Sequence, residues 1–331
     1  MEKVIIFSIF GFLFSLIGTK YLKEYLERKK VFDIPNERSS HTKPMPKGGG
    51  WIIVIFLMIL LLPPIHAYGS GFSEPHWTDS FLYIHVPITI LGLAILSWLD
   101  DIKNINPFIR LFFQFFIIFY LLAAVKLTND AITYLDVVMS SLLIVWFINI
   151  FNFMDGIDGI TPSVTITLIL GVLVIRSLEL YPTNWIFEFG IIFSCLAFLF
   201  WNWHPAKIFL GDVGSISLGF ACGTLLLTPI IYGKWEVISL IMYYVLDTSL
   251  TLINRFMAGK KVWQAHSEHY YQKAVRSGMS QSQVVSLIIT LQALIIATCY
   301  FIENPYLVVF LAFLESAGLI IYFSSKYKKS T

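Results

Sequence analysis

The sequence predicts an all-α, polytopic membrane protein with about eleven transmembrane helices, and three observations carry that prediction. Of its 331 residues, 57% are hydrophobic and only 13% charged, against about 25% charged in an ordinary soluble domain; mean hydropathy is +0.74. Apolar runs of the ~20 residues that a hydrocarbon core requires recur along the whole length. The chain therefore reads as one integral-membrane domain, residues 1–331, among membrane lipids. Third, lysine and arginine divide very unevenly between the loops on the two sides of those runs. A net charge of +2 gives no reason to expect a nucleic-acid partner.

The runs lie near 3–21, 48–65, 81–99, 111–127, 134–151, 162–178, 185–203, 215–231, 237–254, 281–301 and 305–323. The first lacks a basic n-region and an Ala-x-Ala site, so it reads as a span and not as a cleavable signal. The thinnest divisions are the short turn at 128–133 and the span after Pro162; ten spans result if one is dropped. Glycine and proline inside a run do not argue against helix, since neighbouring helices satisfy the freed backbone groups. Cys195, Cys222 and Cys299 sit far apart in apolar runs without metal spacing and read as small core residues.

With eleven spans, nineteen Lys and Arg residues fall on one side and four (Lys3, Lys126, Arg176 and Lys234) on the other. Because basic loops stay in the cytoplasm, the N-terminus is expected outside and the C-terminus inside. The polar clusters of the chain then all face the cytoplasm, although their positions did not enter the assignment.

Four clusters stand out. Asp100-Asp101 close the third run, with Arg110 and Gln114 four residues apart on the next helix face, where they would suit an anionic headgroup. Asn149, Asn152, Asp155 and Asp158 recur every third residue, with Gly156 and Gly159 between and after them. Carboxylates at membrane depth cost about 2.5–3.5 kcal/mol each on insertion scales, so packing alone explains such a series poorly. In Phe209-Leu210-Gly211-Asp212-Val213-Gly214-Ser215, glycines flank a carboxylate, and magnesium commonly takes one or two carboxylates plus substrate phosphates; read plainly, the same stretch is a loop with Ser215 as helix N-cap. His266 and His269 lie in a basic loop without a third zinc ligand and suit phosphate or sugar contacts. Lys47, by itself a basic anchor, precedes Gly48-Gly49-Gly50, and three glycines at a span entrance imply close backbone approach to a ligand or a neighbouring helix.

Together these motifs resemble the bacterial polyprenyl-phosphate N-acetylhexosamine-1-phosphate transferases, glycosyltransferase family 4. The matching pieces are 33–41 with Pro46-Lys-Gly-Gly-Gly50, Asp100-Asp101, 149–159, 209–215 and the terminal histidine loop, in the family's order. The resemblance implies transfer of a sugar 1-phosphate from a UDP-N-acetylhexosamine to undecaprenyl phosphate, with release of UMP, in the bacterial inner membrane. It implies magnesium as cofactor, with manganese as a substitute, and leaves room for a homodimer. Catalytic roles are implied for Asp100, Asp101, Asp158 and Asp212, with Asp212 as the metal ligand. Substrate binding is implied for Lys47, Arg110, Asn149, Asn152, Asp155, Phe209, His266 and His269. The two histidines are separated by Ser267-Glu268 and do not form a contiguous cluster. That form is similar to the branch starting O-antigen and other surface polysaccharides.

The alternatives are the phospho-MurNAc-pentapeptide transferase of peptidoglycan synthesis and, in another class, a membrane transporter. A transporter places ionisable groups near the bilayer middle, whereas these gather at one face. A CDP-alcohol phosphotransferase fits poorly, since Gly159 is followed by Ile160-Thr161-Pro162.

Overall fold

The computed structural model describes residues 2–35, 43–62, 77–177, 185–231, 233–264 and 266–330, except for the side chains of 77–83, 128, 228, 231 and 328–330. His41, His66 and His76 lie outside the described residues, as does the end of the second predicted span. The described chain is a helical bundle. Its helices are α1 (Glu2–Arg28), α2 (Gly50–Leu60), α3 (Trp77–Lys103), α4 (Pro107–Thr128), α5 (Tyr134–Phe153), α6 (Ile160–Ser177), α7 (Trp185–Asn202) and α8 (Gly211–Ile231). A 3₁₀ turn, Trp235–Ile241, then leads into α9 (Met242–Met257), followed by α10 (Tyr270–Arg276), α11 (Gln281–Phe301) and α12 (Pro305–Ser330).

Among the described residues eight helices are long and apolar enough to cross a membrane, and three shorter apolar helices lie at the second, sixth and eighth predicted runs. The protein is therefore all-α and polytopic. Helix ends follow local chemistry. Asn106 caps α4, accepting from the Phe108 N–H, with Pro107 at the first helical position. Thr133 and Asp136 form a capping box at α5, and Ser280 and Gln283 another at α11. Two elements went unforeseen in the sequence. One is the short helix α10; the other is a two-stranded antiparallel ribbon, β1 (Phe32–Asp33) with β2 (Met45–Pro46), which leads the chain into α2.

Between apolar helices in lipid, small residues decide how closely backbones approach. On α1 the buried positions include Ser8, Gly11, Ser15 and Thr19, a seam spaced by three or four residues. This seam faces α7, where the hydroxyls of Ser15 and Ser194 meet at 2.5 Å. Helix α8 lies at the centre, packed on α2, α3, α5 and α6. The three cysteines are free and buried. Because α8 starts inside the bundle, its first turn becomes the floor of the site.

Candidate active site

The glycine run approaches a neighbouring helix, one of the two options the sequence left open. Lys47 and Phe209 pair as a parallel bridge. The N–H groups of Gly48 and Gly49 donate to the Phe209 carbonyl at 3.2 and 2.9 Å, and that of Gly50 to Leu210 at 2.8 Å. A Cβ on Gly50 would stand 2.3 Å from the Gly214 backbone, and Gly48 has a φ of +117°, so side chains are excluded from both positions. This contact joins the start of α2 to the start of α8 and aims Lys47 across to α3.

At that junction a cleft of about 400 Å³ opens. Lys47, Asp100, Asp101, Arg110, Asn152, Asp212, His266 and His269 all line it. The Lys47 Nζ lies 2.6 Å from Asp101 Oδ1. The other Asp101 oxygen accepts from the Asp212 N–H at 3.2 Å. Burial would lower the Lys47 pKa, but the Asp212 and Asp101 carboxylates outweigh it and hold the ammonium well above its ordinary range. Arg110 lies 2.7 Å from Asp100 Oδ2 and 3.6 Å from Asp212 Oδ2. The second Asp100 oxygen accepts from the Ile105 N–H at 2.7 Å. Both oxygens of Asp100 and of Asp101 thus have partners, whereas Asp212, in the first turn of α8, is only grazed by Arg110. Three carboxylates against two cations leave the cleft with an unbalanced negative charge.

The opposite wall comes from α5, α10 and the loop between α9 and α10. Asn152 donates to Ser215 Oγ at 2.9 Å. His266 and His269 stack with ring centres 5.0 Å apart. Burial, aided by the positive neighbourhood of His269 and Arg255, lowers His266 to about 4, so it is neutral at pH 7. Arg255 anchors the loop through Glu268 at 2.5 Å and the Lys261 carbonyl at 2.9 Å. Asp247, on α9, was passed over in the sequence, although a lone carboxylate inside a predicted span is itself a signal of function. It is fully buried and contacts the His269 ring at 3.0 Å.

Several sequence-derived candidates are placed elsewhere. Asn149 is buried and donates to Gln114 Oε1 at 2.7 Å and to the Val145 carbonyl; positions three apart diverge by about 60° on a helix, enough to send Asn149 into the α4–α5 interface while Asn152 reaches the cleft. Gln114 is correspondingly buried and does not share a headgroup site with Arg110. Asp158 turns away from the cleft and accepts from the Ala206 N–H at 3.0 Å, with His204 Nδ1 at 2.7 Å. Phe209 joins the site through its backbone and is not among the lining residues. Asp155 occupies the turn after α5, outside the lining; burial raises its carboxyl to about 7. Ser215 is not an N-cap, because α8 begins four residues earlier at Gly211.

Among the described residues no group of three or more His, Cys, Asp or Glu side chains forms a closed metal cage. The donor set instead fits magnesium shared with a substrate. Asp212 offers an accessible carboxylate, and a hydrated octahedral ion takes its remaining ligands from phosphates and water.

An acidic cleft thus lies at the ends of helices long and apolar enough to cross a membrane. Comparison with known proteins adds to this. The model of the family described as "Glycosyl transferase family 4" matches residues 83–230. Similar proteins include a "Probable undecaprenyl-phosphate N-acetylglucosaminyl 1-phosphate transferase" of Bacillus subtilis, 24% identical over 87% of this chain and 82% of its own. A "Decaprenyl-phosphate N-acetylglucosaminephosphotransferase" of Mycobacterium leprae is 22% identical over 87% and 81%. A "Phospho-N-acetylmuramoyl-pentapeptide-transferase" of Bacillus velezensis is 26% identical over 86% and 93%. The chain is thus similar to glycosyl transferase family 4 over residues 83–230, and to relatives named as polyprenyl-phosphate sugar-phosphate transferases over most of its length.

Proposed function

We propose that the protein transfers an N-acetylhexosamine 1-phosphate from a UDP-sugar to undecaprenyl phosphate, starting a cell-surface polysaccharide such as O-antigen. The supporting observation is the charge arrangement of the cleft: Arg110 and Lys47, each tied to a carboxylate, line it together with Asp212. An acceptor phosphate oxygen attacks the sugar-linked phosphorus of the donor. The bond from that phosphorus to the bridging oxygen breaks, and its electron pair leaves with UMP. Arg110 neutralises the acceptor phosphate and Lys47 the donor, which lets two anions approach. Asp100 holds Arg110 in place, and Asp101 holds Lys47. Bound at Asp212, magnesium supplies further charge neutralisation at the diphosphate.

The protein is proposed to sit in the bacterial inner membrane with the cleft open to the cytoplasm, where nucleotide sugars reside. A cysteine replacing the exposed Lys261, the native cysteines being buried, should resist impermeant thiol reagents in intact cells and react in inverted vesicles. Labelling from outside would reverse the orientation.

The deciding assay is UMP release from a panel of UDP-sugars, with and without undecaprenyl phosphate and magnesium. Release that needs both, from UDP-N-acetylhexosamines or their 6-deoxy forms, supports the reading. The relatives named for pentapeptide transfer make UDP-MurNAc-pentapeptide the essential rival donor; turnover of that donor alone would reassign the protein to peptidoglycan synthesis.

A further inference from the structure

We infer that Asp247 is a positioning residue that fixes the tautomer and orientation of His269, so that this histidine presents Nε2 to a phosphoryl oxygen of the donor. The inference rests on the transferase reading above. It starts from a carboxylate that the charge arrangement of the cleft does not use.

Asp247 has no exposure to solvent and no lysine or arginine bonded to it among the described residues. A buried carboxylate is expensive unless its lone pairs are filled. Here five donors fill them. Oδ1 lies 3.0 Å from His269 Nδ1 and accepts from the Tyr270 N–H at 3.1 Å and the Thr251 hydroxyl at 3.3 Å. Oδ2 accepts from the Tyr271 N–H at 3.2 Å and the Tyr243 hydroxyl at 3.1 Å.

An ionised carboxylate can only accept, so the shared proton belongs on His269 Nδ1. The bond made by one ring nitrogen decides the state of the other; Nε2 is then the nitrogen left for the cleft, which the ring lines. The ring is also clamped by its neighbours, His266 at 5.0 Å and Tyr271 at 5.7 Å between ring centres. The two N–H bonds from Tyr270 and Tyr271 fix the backbone that carries the ring, so one carboxylate sets both the tautomer and its placement. Glu268, the nearest acid in sequence, cannot substitute, because Arg255 and Lys260 hold it at 2.5 and 3.0 Å.

The test is a double-mutant cycle on the full-length protein in detergent or nanodiscs. It uses Asp247→Asn, His269→Gln and the pair, with UMP release from the UDP-sugar that the donor panel identifies. Asp247→Asn should cut kcat/KM for the donor at least ~10-fold, well short of the ~10⁴ that this change costs where a histidine carries every proton of the reaction. The decisive quantity is coupling. If Asp247 acts through His269, Asp247→Asn adds less than about twofold once His269 is Gln. If it only holds the loop together, the two losses multiply, and the inference fails. Wild-type activity in Asp247→Asn also overturns it. Should Asp247→Asn not fold, Thr251→Val, which removes one donor to the same oxygen, must show the same coupling with His269→Gln; independent losses there count against the inference. An inactive wild-type protein would instead refute the transferase reading.

Discussion

Two charged clusters are embedded in this apolar bundle, and they are built in opposite ways. Arg176 on α6 and Glu188 on α7 are 4% and 1% exposed. They bond to each other, and Arg176 reaches the Leu225 carbonyl of α8 at 3.3 Å. The cluster thus pins three helices together with both charged groups buried. At the cleft, by contrast, Asp100, Asp101, Asp212, Lys47 and Arg110 surround an open volume with one acid in excess. A closed, balanced pair serves the fold, whereas an open, unbalanced set retains binding capacity. This separates roles that composition alone cannot, since both clusters look like costly charges in or at the ends of membrane spans.

The largest effect should come from breaking the closed pair. Glu188→Gln leaves the Arg176 guanidinium buried without its counter-charge, and removal of one partner from a buried pair costs about 3–5 kcal/mol. Unfolding in mixed micelles should show that loss, while turnover per folded molecule stays normal. Replacing both residues by Met should restore most of the stability. A folded but inactive Glu188→Gln protein would contradict the assignment of this pair to the fold alone.

The open cluster should give the converse result. Asp212→Asn should lower kcat by at least ~10²-fold, the usual cost of losing a charge-stabilising element, with unfolding unchanged. Near-normal turnover at limiting magnesium would remove Asp212 from the metal role. Asp100→Asn should act more gently. Both Asp100 oxygens are engaged, one by Arg110, so it serves to hold the guanidinium and not as a free base. Loss of one charge-assisted hydrogen bond is worth about 1.5–3 kcal/mol. The KM for the lipid acceptor should therefore rise about tenfold or somewhat more, with little change in kcat. A fall in kcat that shrinks as pH rises would instead make Asp100 a base.

Much of this contrast was legible in the sequence. Hydropathy located every described membrane helix, because burial in lipid demands long apolar runs whatever the packing. The order of acidic clusters also led to Asp100, Asp101 and Asp212. What could not be read was direction. Asn149 and Asn152 look equivalent as a periodic pair, yet helix rotation gives one to Gln114 and the other to Ser215. Asp158 carries the same signal as Asp155 but is spent on the turn at 204–206. Asp247 escaped notice because the His269 ring and the Tyr270 and Tyr271 N–H groups that it meets lie twenty-odd residues away, contacts that leave no spacing pattern.

The smallest predicted effect concerns Asp155, which stands between the two kinds of cluster. It is partly buried beside the cleft but outside its lining, and burial raises its carboxyl to about 7. In the unfolded chain the same group titrates near its ordinary 3.8. Between those values the native state holds a proton that the unfolded state has lost. Stability from this group is therefore complete below about pH 4 and falls as pH rises through about 7. His266 works in the opposite sense. Its folded value near 4 lies below the ordinary 6.5, so its ionisation favours unfolding in acid and stability rises with pH across that window. The two trends offset each other in the wild type. Asp155→Asn removes only the first. The melting temperature of Asp155→Asn relative to wild type should therefore climb between pH 4 and 7 and level off above. About 1–2 °C is expected, the equivalent of ~1 kcal/mol in a chain of this length, because partial exposure lets water screen the charge. A difference that does not change with pH would mean that Asp155 is ionised throughout, placing it with the open cluster as a ready cation ligand and not between the two.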